Sequence, residues 1–116
     1  MNLIADLTTM SLHRALDGLD RRQAAIADNV ANIETAGFQA RQVSFEDSLR
    51  AAIQGGTPLA AAITESRSLA PTRLNGNNVN LDNQIMANAE NSLRQQLVIQ
   101  GLNAKYQLLR TSITGR

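Results

Sequence analysis

Two long proline-free stretches with helical apolar spacing stand at opposite ends of a chain of only 116 residues. In the first, residues 1–35, the positions Leu12, Leu16, Leu19, Gln23, Ile26, Val30 and Ile33 step alternately by four and three. That is a heptad seam with one polar member. Ala15, Ala24, Ala25, Ala27 and Ala31 add helix propensity, and Gly18 is the one weak point, at about 1 kcal/mol relative to alanine. A helix of some 30 residues would span roughly 45 Å. That is too long for a compact domain of this size unless a second long helix lies beside it.

The second helix is expected over residues 82–116, with Asp82 as its N-cap. Ile85, Ala89, Leu93 and Leu97 recur every four residues, and Ile99, Leu102, Tyr106, Leu109 and Ile113 recur at three and four. The two sets are offset, so the apolar stripe winds around the helix, and Gly101 near the crossover suits close backbone approach. Leu12, Leu16, Leu19, Ile26, Val30 and Ile33 are expected to pack on Leu93, Leu97, Leu102, Leu109 and Ile113. The remaining surface is rich in amides (Asn83, Gln84, Asn88, Asn91, Gln95, Gln96, Gln100, Asn103 and Gln107). Such a face can hydrogen-bond a partner without burying charge, or can simply be a polar face.

Residues 36–81 differ. After the break at Gly37, the run from Phe38 to Phe45 is extended in character. Ser44 and Asp47 have the spacing of a capping box for a short helix with Phe45, Leu49 and Ile53 on one face, ended by Gly55-Gly56. Residues 57–80 carry Pro58, Pro71 and the Asn75-Gly76 turn pair, and read as a loop with one weak strand pair, largely mobile in isolation.

Composition narrows the chemistry. With no cysteine, disulfides, thiolate metal sites and thiol nucleophiles are excluded. His13 is the single histidine, which excludes a histidine metal cluster. No phosphate-binding glycine loop or nucleophile elbow occurs, and Glu46-Asp47 is better explained by a helix start than by acid–base work. No catalytic residue, metal ligand or cofactor is therefore assigned, and an enzyme is not expected. A net charge of +1 gives no electrostatic footprint for nucleic acid. Aromatics are only 3% of residues, so a large self-contained core is not expected. The first residues lack a basic, apolar leader pattern, and no 18-residue apolar run occurs, which taken alone reads as cytoplasmic.

Two segments exceed a generic helical protein. Asn29 and Asn32 sit three apart before Gly37, an arrangement suited to tying the exiting chain or the opposite helix. The second segment, residues 75–83, is a turn leading through alternating residues into a helix. The first resembles the N-terminal motif of the bacterial flagellar rod, hook and hook-associated family, at Ala31, Asn32, Thr35, Gly37 and Phe38. The second, with the stretch that follows it, resembles that family's rod pattern at Gly76, Asn77, Val79, Leu81, Asp82, Asn91, Ser92, Leu93, Arg94 and Gln96. Ala36 stands where proline is usual, and Asn75 and Asn80 where aspartate is common. The loop 55–74 is unmatched.

The resemblance implies a mainly α fold in which two long terminal helices pair as an antiparallel coiled coil, forming one domain around a short central extended and loop segment. It implies a structural subunit of the proximal rod that polymerises through its terminal helices into a tube, transmitting torque and surrounding an export channel. The implied partners are further copies, FlgC-like and FlgF-like rod subunits, the adaptor FliE, and the export gate and membrane ring proteins. Export without a cleaved signal to a periplasmic rod would then replace the cytoplasmic reading. The alternatives are the sister rod protein FlgC, which shares the N-terminal motif, and a soluble helical adaptor or chaperone.

Overall fold

A computed structural model describes residues 3–115; positions 1, 2 and 116 of the expected helical ranges lie outside the described residues. The elements run α1 (Leu3–Ala31), β1 (Arg41–Ser44), α2 (Glu46–Gln54), a 3-10 turn (Pro58–Ala60), β2 (Thr64–Arg67) and α3 (Leu81–Thr114). At 1.5 Å per residue the two long helices span roughly 44 and 51 Å. They lie side by side and antiparallel: Asn29 meets Gln84, Gln23 meets Asn88, Leu19 meets Asn91, and Leu12 packs on Gly101. The result is a slender body, 64 × 28 × 14 Å, with a radius of gyration of 17.8 Å. A compact chain of this length would be near 13 Å.

The apolar core is not the seam between the long helices. Leu19 and Ala25 of α1 meet Val43, Phe45, Leu49 and Ala61, with Ala15, Ala52, Ile53, Ile63 and Val98 packed around them. The middle segment therefore folds onto the centre of α1 and makes most of the core, while α3 contributes Val98. Phe45 anchors this arrangement. An added Cβ on Gly18 would stand 2.5 Å from the Phe45 ring, so the glycine that weakens α1 is what seats the ring.

Local boundaries depart from expectation at three points. α1 ends at Ala31 rather than residue 35, because Asn32 turns its carboxamide back to donate to Asp28 O (2.8 Å). Ser44 is not the cap of α2: it ends β1, and Phe45 precedes the helix with no side-chain cap bond. Burying Phe45 fixes the chain direction there, and Glu46 starts the helix within reach of Arg22 (3.0 Å). Asp82 does not cap α3; Asn80 does, its side chain accepting from Asn83 N (3.1 Å), and Asp82 lies in the first turn. Gly55 and Gly56 end α2 as expected. The strand pair does not lie within residues 57–80 as expected: the loop supplies only β2, which pairs antiparallel with β1 of the extended Phe38–Phe45 run, with Val43 opposite Glu65.

Candidate functional site

The two motif segments, about 40 residues apart in sequence, meet at the end of the helix pair. Asparagines join them. Asn77 is fully buried and donates from Nδ2 to both Asn32 O (2.9 Å) and Thr35 O (2.8 Å), turn carbonyls after α1 that also accept from Thr35 N (3.0 Å) and Phe38 N (3.3 Å). Its Oδ1 accepts from Val79 N (2.8 Å), which straightens the approach to α3. Thr35 Oγ1 donates to Asn32 Oδ1 (3.1 Å). Gly37 N donates to Asn75 O (2.8 Å), and Asn78 N to Phe38 O (3.2 Å). Gly37 and Gly76 both have positive φ, 75° and 82°, and a Cβ on Gly76 would stand 3.2 Å from Gly37 Cα. Both glycines are needed because two turns cross at contact distance in left-handed conformations.

A second layer ties this clasp to the sheet. Asn29, 1% exposed, donates to Arg41 O (3.0 Å) and Gln84 Oε1 (3.1 Å) and accepts from Arg41 N (2.7 Å). One side chain on α1 thus completes the inner edge of β1 and reaches the first turns of α3. Asn78 accepts from Ala40 N (2.7 Å) and donates to Ser68 O (3.0 Å) and Ala70 O (3.1 Å). Arg73 reaches back to Ile33 O. The Arg41 guanidinium bridges Glu65 (2.7 Å) and Asp28 (3.0 Å), whose hydrogen bonds hold its pKa above the ordinary value. The Arg67 guanidinium lies over the Phe38 ring at 5.2 Å.

Along the helices the seam is mostly amide. Asn91, 2% exposed, donates to Leu19 O and to Gln23 Oε1, both at 3.0 Å. Gln23 donates to Asn88 (2.6 Å) and Gln95 to Asp20 (2.9 Å). Arg94 pairs with Glu90 (2.7 Å) and approaches Glu46 (3.7 Å). Gln84, Ala87, Asn91, Gln95, Val98 and Leu102 repeat at three and four, and this is the face α3 turns to the rest of the chain.

The expected leucine seam needs correction for that reason. On α1, Leu19 and Ile26 are buried and Leu12, Leu16 and Ile33 half-buried, but Val30 is exposed. On α3 only Leu102 is buried; Leu93 and Leu97 are exposed, as is Ile113 (78%), and Leu109 is about one third exposed. Leu93 lies two residues from Asn91, some 200° around the helix, so one cannot be inside with the other. Leu109 and Ile113 lie past the exposed His13–Tyr106 contact (3.0 Å), toward the end of α3. Of the motif positions, Ala31, Leu81 and Asp82 are exposed, and Val79 is buried. Asn75, Asn78 and Gln84 are hydrogen-bonding partners in this clasp that the motif positions did not include; the density of asparagine over residues 75–83 was the available signal.

Among the described residues no cluster of three or more metal-ligating side chains occurs, and no helix is long and apolar enough to cross a membrane. The arrangement joins elements and leaves apolar side chains exposed on several sides of α3.

Comparison with known proteins agrees with where this geometry lies. The family described as "Flagella basal body rod protein" matches residues 11–39, which run from mid-α1 through the Gly37 turn. The chain is 30% identical to flagellar basal body rod protein FlgB of Bacillus subtilis, over 93% of this chain and 94% of that protein. It is 31% identical to FlgB of Borreliella burgdorferi over 74% of this chain and 80% of that protein. It is 27% identical to FlgB of Escherichia coli K12, over 78% and 81%.

Proposed function

The chain belongs to the FlgB family of flagellar basal body rod proteins, and from that premise we propose that it is a structural subunit of the proximal rod, built to be completed by its neighbours. Membership places it in the flagellar basal body and does not favour the sister FlgC reading or a soluble adaptor. It acts as a building element and not as an enzyme.

The observation that carries the reading is how α3 is used. The chain docks this helix through amides and a few apolar contacts, leaving Ile85, Met86, Leu93, Leu97, Ile99, Tyr106, Leu108 and Ile113 exposed. These residues surround the rest of the helix instead of forming one stripe. A helix that is apolar on several sides belongs in an interior. Neighbouring subunits supply that interior when slender bodies pack lengthwise into a tube, where the helices bear load along their axes and enclose the export channel. The contacts are with further copies, with FlgC-like and FlgF-like rod subunits, with the adaptor FliE, and with the export gate and membrane ring proteins. The subunit reaches the periplasmic rod without a cleaved signal peptide. The motif residues Ala31, Asn32, Thr35, Gly37, Phe38, Gly76, Asn77, Val79, Leu81, Asp82, Asn91, Leu93 and Arg94 divide into two tasks. The clasp residues set the angle of the helix pair, and Leu93 and Arg94 face outward to a neighbour.

Deleting residues 103–116 tests this. Expression is expected to persist while basal-body assembly and motility are lost. Normal motility with intact basal bodies would overturn the proposal. Leu97→Asp provides the finer version: the isolated chain keeps its helix content, since Leu97 is 57% exposed, but no longer enters the rod.

A further inference from the structure

Asn75 is the only asparagine of the chain that is followed by glycine. That pair is prone to ring closure, because glycine has no side chain to hinder attack by its own main-chain nitrogen on the preceding carboxamide. We propose that Asn75 is a conformation-gated deamidation site: the closed clasp protects it, an open clasp exposes it, and the isoaspartyl product prevents the clasp from closing again. The inference stands independently of the assembly reading.

The chemistry needs only water. The Gly76 nitrogen gives its proton to solvent base and bonds to Asn75 Cγ. The Cγ–Nδ2 bond breaks, and Nδ2 takes up a proton and leaves as ammonia, giving a five-membered succinimide. Water then opens one of two ring carbonyls. Cleavage at Cγ yields aspartate. Cleavage at the former main-chain carbonyl yields isoaspartate, whose main chain runs through Cβ and Cγ. One water is consumed and one ammonia released, with no redox change.

The structure engages the nucleophile, the carboxamide oxygen and the main-chain carbonyl that ring closure must turn. Gly76 N, the nucleophile, donates to Arg73 O (2.9 Å). Asn75 Oδ1 accepts from Asn77 N (3.1 Å), which pins the carboxamide on the nitrogen one residue beyond the attacking one. The Asn75 carbonyl accepts from Gly37 N (2.8 Å), so the rotation needed for ring closure breaks the clasp's own bond. The two turns approach closely here, since even a Cβ on Gly76 would stand 3.2 Å from Gly37 Cα. The Asn75 side chain is nonetheless exposed, so water and base reach it as soon as the clasp opens.

The two products then differ in consequence. Aspartate keeps the main chain and an acceptor for Asn77 N–H. Isoaspartate inserts a methylene between residues 75 and 76 and turns the Gly37 acceptor into a free carboxylate, at the point where two turns are already in contact. Asp17-Gly18, the other pair in which glycine follows an Asn or Asp, lies inside α1, where the helix holds its backbone, and serves as an internal control.

The full-length chain is incubated in mildly alkaline buffer, native and in guanidinium chloride, alongside native Asn77→Ala. Aspartate and isoaspartate are located by peptide mass spectrometry with isoaspartyl methyltransferase labelling. Deamidation at Asn75 is expected to run about tenfold or more faster in the unfolded chain than in the native one, with Asn77→Ala between them. Chains carrying isoaspartate are expected to melt below Asn75→Asp after refolding. Equal native and unfolded rates, earlier reaction at another asparagine, or refolded isoaspartyl chains that melt like Asn75→Asp would overturn the proposal. The native-against-unfolded comparison needs no variant and decides the gating by itself.

Discussion

The Phe45 ring occupies the space where Gly18 would carry a side chain: an added Cβ would come within 2.6 Å of three ring carbons. The same ring lies beneath the Arg22 guanidinium, 4.9 Å from its centroid, so one face of α1 holds the aromatic at positions four apart. Gly18→Ala should therefore destabilise the fold although alanine is the better helix former. The gain in propensity is about 1 kcal/mol, and the overpacking cost is about 1–3 kcal/mol or more where backbone must shift. A lower urea midpoint for Gly18→Ala, recovered in Gly18→Ala with Phe45→Leu, is the expected result. An unchanged or raised midpoint for the single variant would refute it.

Asn77 is asked to donate twice and accept once in a fully buried site. Asn77→Asp keeps the shape and the acceptor for Val79 but points negative oxygen at two carbonyls. It should cost at least as much as Asn77→Ala, which leaves the Val79 amide unsatisfied at about 1–3 kcal/mol and removes one of two donors at each carbonyl. Hydrogen exchange at the Gly37 and Val79 amides should accelerate in both variants, while amides in the middle of α1 change less. A milder effect for aspartate than for alanine would show that the donors are not the operative contacts.

How much of this was legible in the sequence depended on whether each residue's partner was local. The two helices, the Gly55-Gly56 stop and the short apolar face of α2 follow from spacing, and all three are present. The capping assignments to Ser44 and Asp82 failed because a distant group decided them. Burial of Phe45 on Gly18 set the start of α2, and the run Asn77–Asn80 placed the cap of α3 two residues earlier than Asp82. The leucine seam failed for a different reason. Heptad spacing shows that leucines share a face, but not whether that face turns to the same chain or to a neighbour. Asn91 is 2% exposed and Leu97 57%, the reverse of a ranking by hydrophobicity.

Glu46 links stability to pH. Burial opposes its ionisation, but the Arg22 hydrogen bond, backbone donors at Glu46 and Phe45, and the Arg22 charge together outweigh that, and its pKa lies below the ordinary 4.5. A folded pKa below the unfolded one means that the contribution is fully present above about pH 4.5 and is lost as pH falls through the lowered value. Melting temperature should thus decline on acidification below that point. Glu46→Gln should be less stable than wild type at neutral pH and should converge with it in acid. Parallel pH profiles for the two proteins would remove Glu46 from the account.

Asn91 is the polar member at the centre of the helix pair, and its Oδ1 has no partner among the described residues. A buried polar group of this kind lowers stability yet can fix helix register. Asn91→Leu removes the unsatisfied oxygen and adds apolar contact, while Leu19 O keeps its place in α1 and Gln23, half-exposed, can turn to solvent. The variant is expected to melt at or above the wild-type temperature but to hold α3 less uniquely against α1. The chain has no cysteine, so spin labels introduced at exposed Arg21 and Gln96 would be the sole ones. Their distance distribution should be narrow in the wild-type background and broad, or split, in Asn91→Leu. A single narrow distance together with a lower melting temperature would mean that Asn91 supplies stability rather than register.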